Sequence, residues 1–447
     1  MAENLQVKTS YREIIKIAMP ISLALMVPNL NFIINNVFLG HLSENALATA
    51  SITGVYYLIF GGIGYGLNNG LQALISRRAG ENRPEEIGKI FNQGVLISVA
   101  IAVFGILITW TIAPVIFKYS IHSAEIYNKV VVFLKIRIFG LFFLYIYQMR
   151  NALLVGINRS KLLVVGTLAE ALANIFFDYS LIFGHFGLPA MGFNGAAVSS
   201  VIAEFSGMFV IFLVIAAKGI GKQFALFRHF HFEKENVLKI LRISGPLIFQ
   251  HAISIISWFF FYILVEHHGE VSLAVSNTMR NIFGFFGVFI WALASTTNSM
   301  VSNIIGQGRK NEVYYLIRKI MILSSSLAIL VFILLNLFPR LFLSIYGQGD
   351  AFMETGIPVI RVVAVAMVFM SAGTIWLNAV TGTGNSRYTF LIELAAIIFY
   401  CLYVYFILEV EKLPIFWGWM SELLYWTILF SLSFTYIRSH KWQSTVI

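Results

Sequence analysis

Glu170, Asn174 and Asp178 stand four residues apart inside the apolar stretch Leu162–Gly184. On a helix that spacing puts all three on one face, drifting about 40° per step. Counted along such a helix, Glu170 falls near its middle and Asp178 in its outer third. A charge held in hydrocarbon costs several kcal/mol unless it is paired or neutralised. Carboxyls placed there suit one kind of chemistry, taking up a proton and releasing it as access alternates between two sides. Asp178, Asn174 and Asn35 could equally offer oxygen ligands to a sodium ion. Lining a wet vestibule, or pairing structurally, is the plain use of the same residues.

Other polar residues lie within apolar runs. Asn29, Asn31, Asn35 and Asn36 share one run with Pro20 and Pro28. Four amides are costly against lipid, so this helix is expected to face a cavity or another helix. Its prolines remove backbone donors and mark either a hinge or a static kink. Arg280 begins a later run, where it could snorkel to the interface, pair with Asp178, or hold an anionic group. His251 is mid-run and fits hydrogen-bonded packing or a proton site. Glu204 and Glu393 are deep enough to line a cavity or to pair, whereas Glu422 sits nearer an outer end. Asn31, Glu204, His251, Arg280 and Glu393 are the candidate cavity residues.

The elements that must position these groups are membrane helices. The chain of 447 residues is 58% hydrophobic and 12% charged, with a mean hydropathy of +0.81. So apolar a composition excludes an ordinary soluble domain. Twelve stretches are long enough to span a bilayer. The first six are Ile14–Leu39, Ala50–Ser76, Phe91–Phe117, Val130–Val155, Leu162–Gly184 and Phe193–Ala217. The second six are Leu241–Val265, Asn277–Ile304, Ile320–Phe338, Ile357–Val380, Tyr388–Leu408 and Ile415–Ile437.

The net charge of +10 is not a nucleic-acid signal here. Placing both termini in the cytoplasm puts 23 of the 31 Lys and Arg on that side and 7 outside, Arg137 among the outer ones and Arg150 among the inner. The polar start of the chain, Met1–Ser10, lacks the form of a cleaved signal.

The two sets of six are copies. A shift of 226 residues pairs Pro20 with Pro246, His41 with His267, Glu44 with Glu270, Leu47 with Leu273 and Ala48 with Ala274. It also pairs Gly80 with Gly306, Arg83 with Arg309, Glu86 with Glu312 and Gly156 with Gly382. An even number of spans inserts both copies the same way up, related by an axis along the membrane normal. The domains expected are 1–217, a basic cytoplasmic linker at 218–240, and 241–447. The shift matches Asp178 to Val404, Asn174 to Tyr400 and Glu170 to Ala396, so the acidic face reads as a property of the first half alone.

Motifs for other functions are missing. There is no GxxxxGK[ST] loop for ATP and no Cys/His cluster with metal spacing. Cys401 is the one cysteine. The glycines of Gly61-Gly62-Ile63-Gly64 lie inside a span and suit close helix packing.

The order and spacing of several segments resemble the multidrug and toxic compound extrusion (MATE) family over nearly the whole chain. They are Ile17-Ala18-Met19-Pro20, Val37-Phe38-Leu39-Gly40-His41-Leu42 and Ala46-Leu47-Ala48, then Gly80 and Arg150…Leu153…Gly156. Asn174-x-x-x-Asp178 and Met191-Gly192-Phe193-Asn194-Gly195-Ala196-Ala197 complete the set. The resemblance is nearest the DinF-type branch, with Asn174 and Asp178 in the fifth helix and Arg280 early in the eighth. NorM-type members carry a glutamate on the seventh helix where this chain has Ser254. The family's first-helix aspartate aligns with Asn35, and an amide cannot shuttle a proton, so the usual pair of carboxylates is incomplete and Glu170 is a candidate replacement.

The resemblance implies an all-α, V-shaped fold of about twelve transmembrane helices in two six-helix bundles. It further implies a secondary antiporter exporting amphipathic cationic or aromatic compounds in exchange for H+ or Na+, with no other cofactor. Its coupling residues would be Asp178, Glu170, Asn174 and Asn35, and its hinge Pro20 and Pro28. The expected setting is a multi-pass protein of the bacterial plasma membrane, monomeric, with small molecules and lipids as partners and no nucleic acid. A lipid-linked oligosaccharide or lipid flippase of the same superfamily is the rival reading; an enzyme is not expected.

Overall fold

The structure, a computed structural model, describes residues 5–42, 44–121, 123–228, 231–347, 349–445 and 447. Side chains at 32, 33, 36, 37, 40, 41, 44–48, 51 and 120 lie outside the described residues. Asn36, Val37, Gly40, His41, Glu44 and Ala46-Leu47-Ala48 of the motifs and the repeat fall there.

The first half runs through α1 (Tyr11–Leu42), α2 (Glu44–Gly80), α3 (Pro84–Thr111) and the short α4 (Ala113–Ser120). It continues with α5 (Ala124–Arg137), α6 (Gly140–Gly156), α7 (Leu163–Phe183), α8 (Phe193–Ala217) and α9 (Ile220–Gln223). The second half holds α10 (Lys234–Glu266), α11 (Glu270–Gly306), α12 (Val313–Leu337), α13 (Pro339–Ser344) and α14 (Asp350–Gly382). It ends with α15 (Ser386–Val404), α16 (Ile415–Trp419) and α17 (Ser421–Arg438).

Among the described residues nine helices are long and apolar enough to cross a membrane. The bent pair α5 and α6 makes a tenth, and α2 and α17 are the remaining long helices of the two halves.

Local chemistry sets the ends. Pro84 and Pro339 open α3 and α13, where a missing N–H costs nothing. Ser123 caps α5 by accepting from the Ile126 N–H at 3.3 Å. Gly184 closes α7 in the left-handed region at φ +78°.

The expected fourth span, Val130–Val155, is not one straight helix: it bends by 45° between Arg137 and Gly140. The bend accommodates a buried ion pair, since a Cβ on Gly140 would lie 2.0 Å from Glu204 Oε2 and 2.4 Å from Arg137 Nη1. Of the Gly61-Gly62-Ile63-Gly64 motif, Gly64 packs closely, with the Tyr145 ring 2.7 Å from where its Cβ would be, whereas a Cβ on Gly61 would meet nothing within 4 Å.

Two compact units result. One is residues 23–244; the other joins 1–22 to 245–447. The divisions fall inside α1, two residues past Pro20, and inside α10, just ahead of Pro246. Both prolines lie within continuous helix.

The stretch 218–240 is packed into the first unit. Asn92 donates to the Arg228 carbonyl at 2.9 Å, and Gln93 to that of His231 at 2.7 Å. In the other unit residues 5–9 are fastened the same way. Asn303 bonds the Leu5 carbonyl and the Val7 N–H, and Lys319 reaches the Thr9 carbonyl at 2.9 Å. Hydrogen bonds from Arg309 hold the nearby Glu312 carboxyl below the ordinary carboxylate range, with Thr9 adding a third donor.

Within the second unit α14 and α11 are the most buried spans, and α12 presents the most apolar side chains outward. Leu330 and Ile333 are exposed there, as Leu107 and Leu213 are in the first unit. Apolar residues exposed on every long helix are what a lipid-facing surface requires.

Candidate functional site

In the first unit α7 and α8 pack closely enough that a Cβ on Gly207 would touch Glu170 Cβ at 2.8 Å. Side chains from α7 therefore meet α8 directly. Asp178 is 0% exposed and Asn174 is buried beside it. The Ser199 hydroxyl of α8 donates to the Asn174 carbonyl at 3.1 Å and accepts from its Nδ2 at 3.3 Å.

Asn35 arrives from α1. An amide oxygen aimed at a carboxylate would be repelled, so the nitrogen faces Asp178, 2.5 Å from Oδ2 and 3.1 Å from Asn174 Oδ1. Three of the four residues expected to couple are thus in contact. The Asn35 amide can donate to ionised Asp178, or turn and accept from protonated Asp178, without bringing a second negative charge into the contact.

Glu170 sits two turns along α7, half-buried. Tyr147 and Arg150 of α6 lie close to it. The Arg150 guanidinium stacks 3.8 Å over the Tyr147 ring. Arg150 is 0% exposed and, among the described residues, no hydrogen-bond acceptor meets its guanidinium. A loop position for Arg150, as the charge count assumed, is therefore a misreading.

Glu204 is another correction. It is not an open cavity acid but half of a buried pair. Arg137 donates to both of its oxygens at 2.6 and 2.9 Å, and the Tyr57 hydroxyl adds a bond at 3.1 Å. The same guanidinium lies 3.7 Å over the Tyr57 ring. Arg137 is therefore not an outer loop charge but the last residue of α5, buried against Glu204, as its place inside the run Val130–Val155 indicates.

The remaining α1 candidates divide. Asn29 is exposed and donates to its own helix at the Leu25 carbonyl, 3.0 Å away. Asn31 lends its carbonyl oxygen to Asn35 at 3.2 Å.

The second unit has acids of its own, which corrects the expectation of a one-sided acidic face. Glu393 on α15 accepts from Ser254 at 2.6 Å, from Gln250 at 3.4 Å and from the Tyr425 hydroxyl. The Ser254 hydroxyl of α10 thus meets a carboxylate that reaches it from α15. Glu422, in the first turn of α17, is 4% exposed and accepts from Trp426 Nε1 at 2.9 Å. The repeat fails to relate these acids to Glu170 and Glu204, yet they occupy the corresponding helices.

Next to Ser254 and Tyr425, the partners of Glu393, lies a cavity of about 190 Å³, lined also by Trp258, Arg280, Tyr400 and Glu422 among others. Arg280 is exposed at its edge, 5.6 Å over the Tyr262 ring. His251 is half-buried on α10 and does not line it.

The comparisons agree with this architecture. The MatE family profile matches residues 20–180 and again 246–406, two copies offset by the 226 residues of the repeat. A protein called probable multidrug resistance protein NorM from Thermotoga maritima is 23% identical over 440 residues, covering 98% of this chain and 94% of that one. Its namesake from Synechocystis sp. is 23% identical, covering 80% and 78%.

Among solved structures, an outward-facing multidrug resistance MATE family transporter of the MOP superfamily aligns with TM-score 0.89 at 17% identity, covering 98% of this chain and 96% of that one. A MOP superfamily transporter from Pyrococcus furiosus aligns with TM-score 0.88 at 16% identity and the same coverage. These two show the fold, a twelve-helix architecture in two halves. With both halves matched by its profile, the chain belongs to the MatE family, the multidrug and toxic compound extrusion transporters.

Proposed function

We propose that this transporter exports amphipathic, cationic or aromatic compounds in exchange for protons, by alternating access, acting as a single chain. The observation that carries the reading is the buried contact of Asp178 with Asn35 and Asn174. Names of relatives, probable multidrug resistance proteins, support the substrate class. Both termini in the cytoplasm of a bacterial plasma membrane fits the distribution of Lys and Arg.

The mechanism follows from the polarity of one hydrogen bond. While Asp178 is ionised it accepts from the Asn35 amide, tying α7 to α1. A proton arriving from outside turns the carboxyl into a donor, and the amide must rotate or let go. Released, α1 repacks about Pro20 or Pro28, close to where the two compact units divide. The contact around Asp178 loses its negative charge, the substrate leaves, and the proton exits inward. Glu170 shares the proton within the same helix face.

A carboxyl that changes between acceptor and donor against one amide favours the proton, while sodium would need the Asn35 oxygen turned toward Asp178 and Asn174. The DinF-type branch agrees with the Asn174–Asp178 pair and with Arg280 at the head of α11.

Everted vesicles test the reading. A fluorescent organic cation should accumulate when an inward-acid pH gradient is imposed and collapse with an uncoupler, with sodium absent. Accumulation driven by a sodium gradient alone would replace the proton by sodium.

A further inference from the structure

The cavity of the second unit has features that proton exchange in the first unit does not use. It holds charges of both signs, Glu422 and Arg280, among the rings of Trp258, Phe283, Trp291, Tyr400, Tyr425 and Trp426. Their environments differ. Glu393 accepts from Ser254, Gln250 and Tyr425 and does not line the cavity, so it is not the group that meets a guest. Glu422 has two oxygens and, among the described residues, one hydrogen-bond donor, Trp426 Nε1. A carboxylate 4% exposed, short of a donor and lining a cavity is a site for an ammonium group. Arg280 lines the same cavity and approaches the Tyr262 ring at 5.6 Å, leaving its fork open to an anionic group.

We propose that this cavity binds a compact zwitterionic aromatic amine, with its ammonium on Glu422, its anionic group on Arg280 and its ring among the tryptophans. A purely cationic guest would leave Arg280 unmatched, and a purely anionic one would face Glu422 directly. The volume sets the size: about 190 Å³ is below the roughly 300–1,000 Å³ of sites for drug-sized ligands. One or two fused rings fit; a larger drug does not. Transport of this ligand rests on the exporter reading above, but its binding does not.

The test is a matched series on the purified full-length protein, read by isothermal titration. Tryptophan carries both charges, tryptamine only the ammonium, indole-3-acetate only the carboxylate, and indole neither. Tryptophan should bind at least tenfold tighter than tryptamine or indole-3-acetate, about 1.4 kcal/mol. Glu422→Gln should remove the advantage of tryptophan over indole-3-acetate, and Arg280→Gln its advantage over tryptamine. Indole binding retained by both variants shows that the cavity is intact.

Equal affinity across the charged series, no binding by any member, or unchanged selectivity in Glu422→Gln overturns the proposal. Tryptamine binding as tightly as tryptophan would assign the site to simple cations instead, and so also refute it. No ion gradient enters the titration, so failure of proton coupling leaves its result standing, and the reverse holds too.

Discussion

Asp178→Asn is expected to reduce pH-gradient-driven efflux at least tenfold, to the leak of empty vesicles, while expression and thermal stability stay at wild-type level. The substitution is close to isosteric, and the new amide oxygen still accepts from Asn35, so the contact among α1, α7 and α8 survives. What is lost is the group whose ionisation reverses that hydrogen bond. A site that cannot exchange a proton cannot tie substrate exit to proton entry, but its neutral amide–amide bond is weaker than one to a carboxylate and still lets α1 and α7 part. The variant should therefore retain substrate-for-substrate exchange between loaded and external compound. Proteoliposomes measure both rates on one preparation. Gradient-driven efflux at the wild-type rate would remove Asp178 from the coupling step, leaving Glu170 as the acid to test.

The second large effect concerns stability. Arg137→Leu strands Glu204 in the interior of the first unit with only the Tyr57 hydroxyl for company. Removing one member of a buried ion pair costs about 3–5 kcal/mol, because the remaining charge loses its compensation. The double variant Arg137→Leu with Glu204→Gln removes the charge as well and should recover most of the loss. Thermal unfolding in detergent reads the difference. A single variant as stable as wild type would mean that the pair is solvated, contrary to its burial.

The scaffold was legible in the sequence because hydrophobic length and the 226-residue repeat are encoded locally. The residues of the buried contact around Asp178 were visible in part, since the four-residue spacing of Asn174 and Asp178 puts them on one helix face. Their partners were not. Whether Glu204 lines a cavity or pairs with Arg137 depends on how α5 and α8 are rotated, and rotation is set by packing across helices. The 45° bend at Gly140 is likewise tertiary, made to house that pair. Glu422 was undervalued because position along a span says how deep a residue lies, not which way it faces. Arg137 and Arg150 were assigned to loops although both fall within the apolar run Val130–Val155. That run was itself the available warning.

Proton and substrate binding to one transporter must be linked, and the linkage is reciprocal: if a proton weakens substrate binding, substrate expels the proton by the same factor. The most direct measurement follows protons rather than flux. Purified protein in weakly buffered, sodium-free solution with a pH-sensitive dye is titrated with a transported organic cation, beside Asp178→Asn treated identically. The account predicts proton release on binding to the wild type and none from the variant, with binding itself retained in both. Equal release from both proteins, or binding to the wild type with no release, would contradict it.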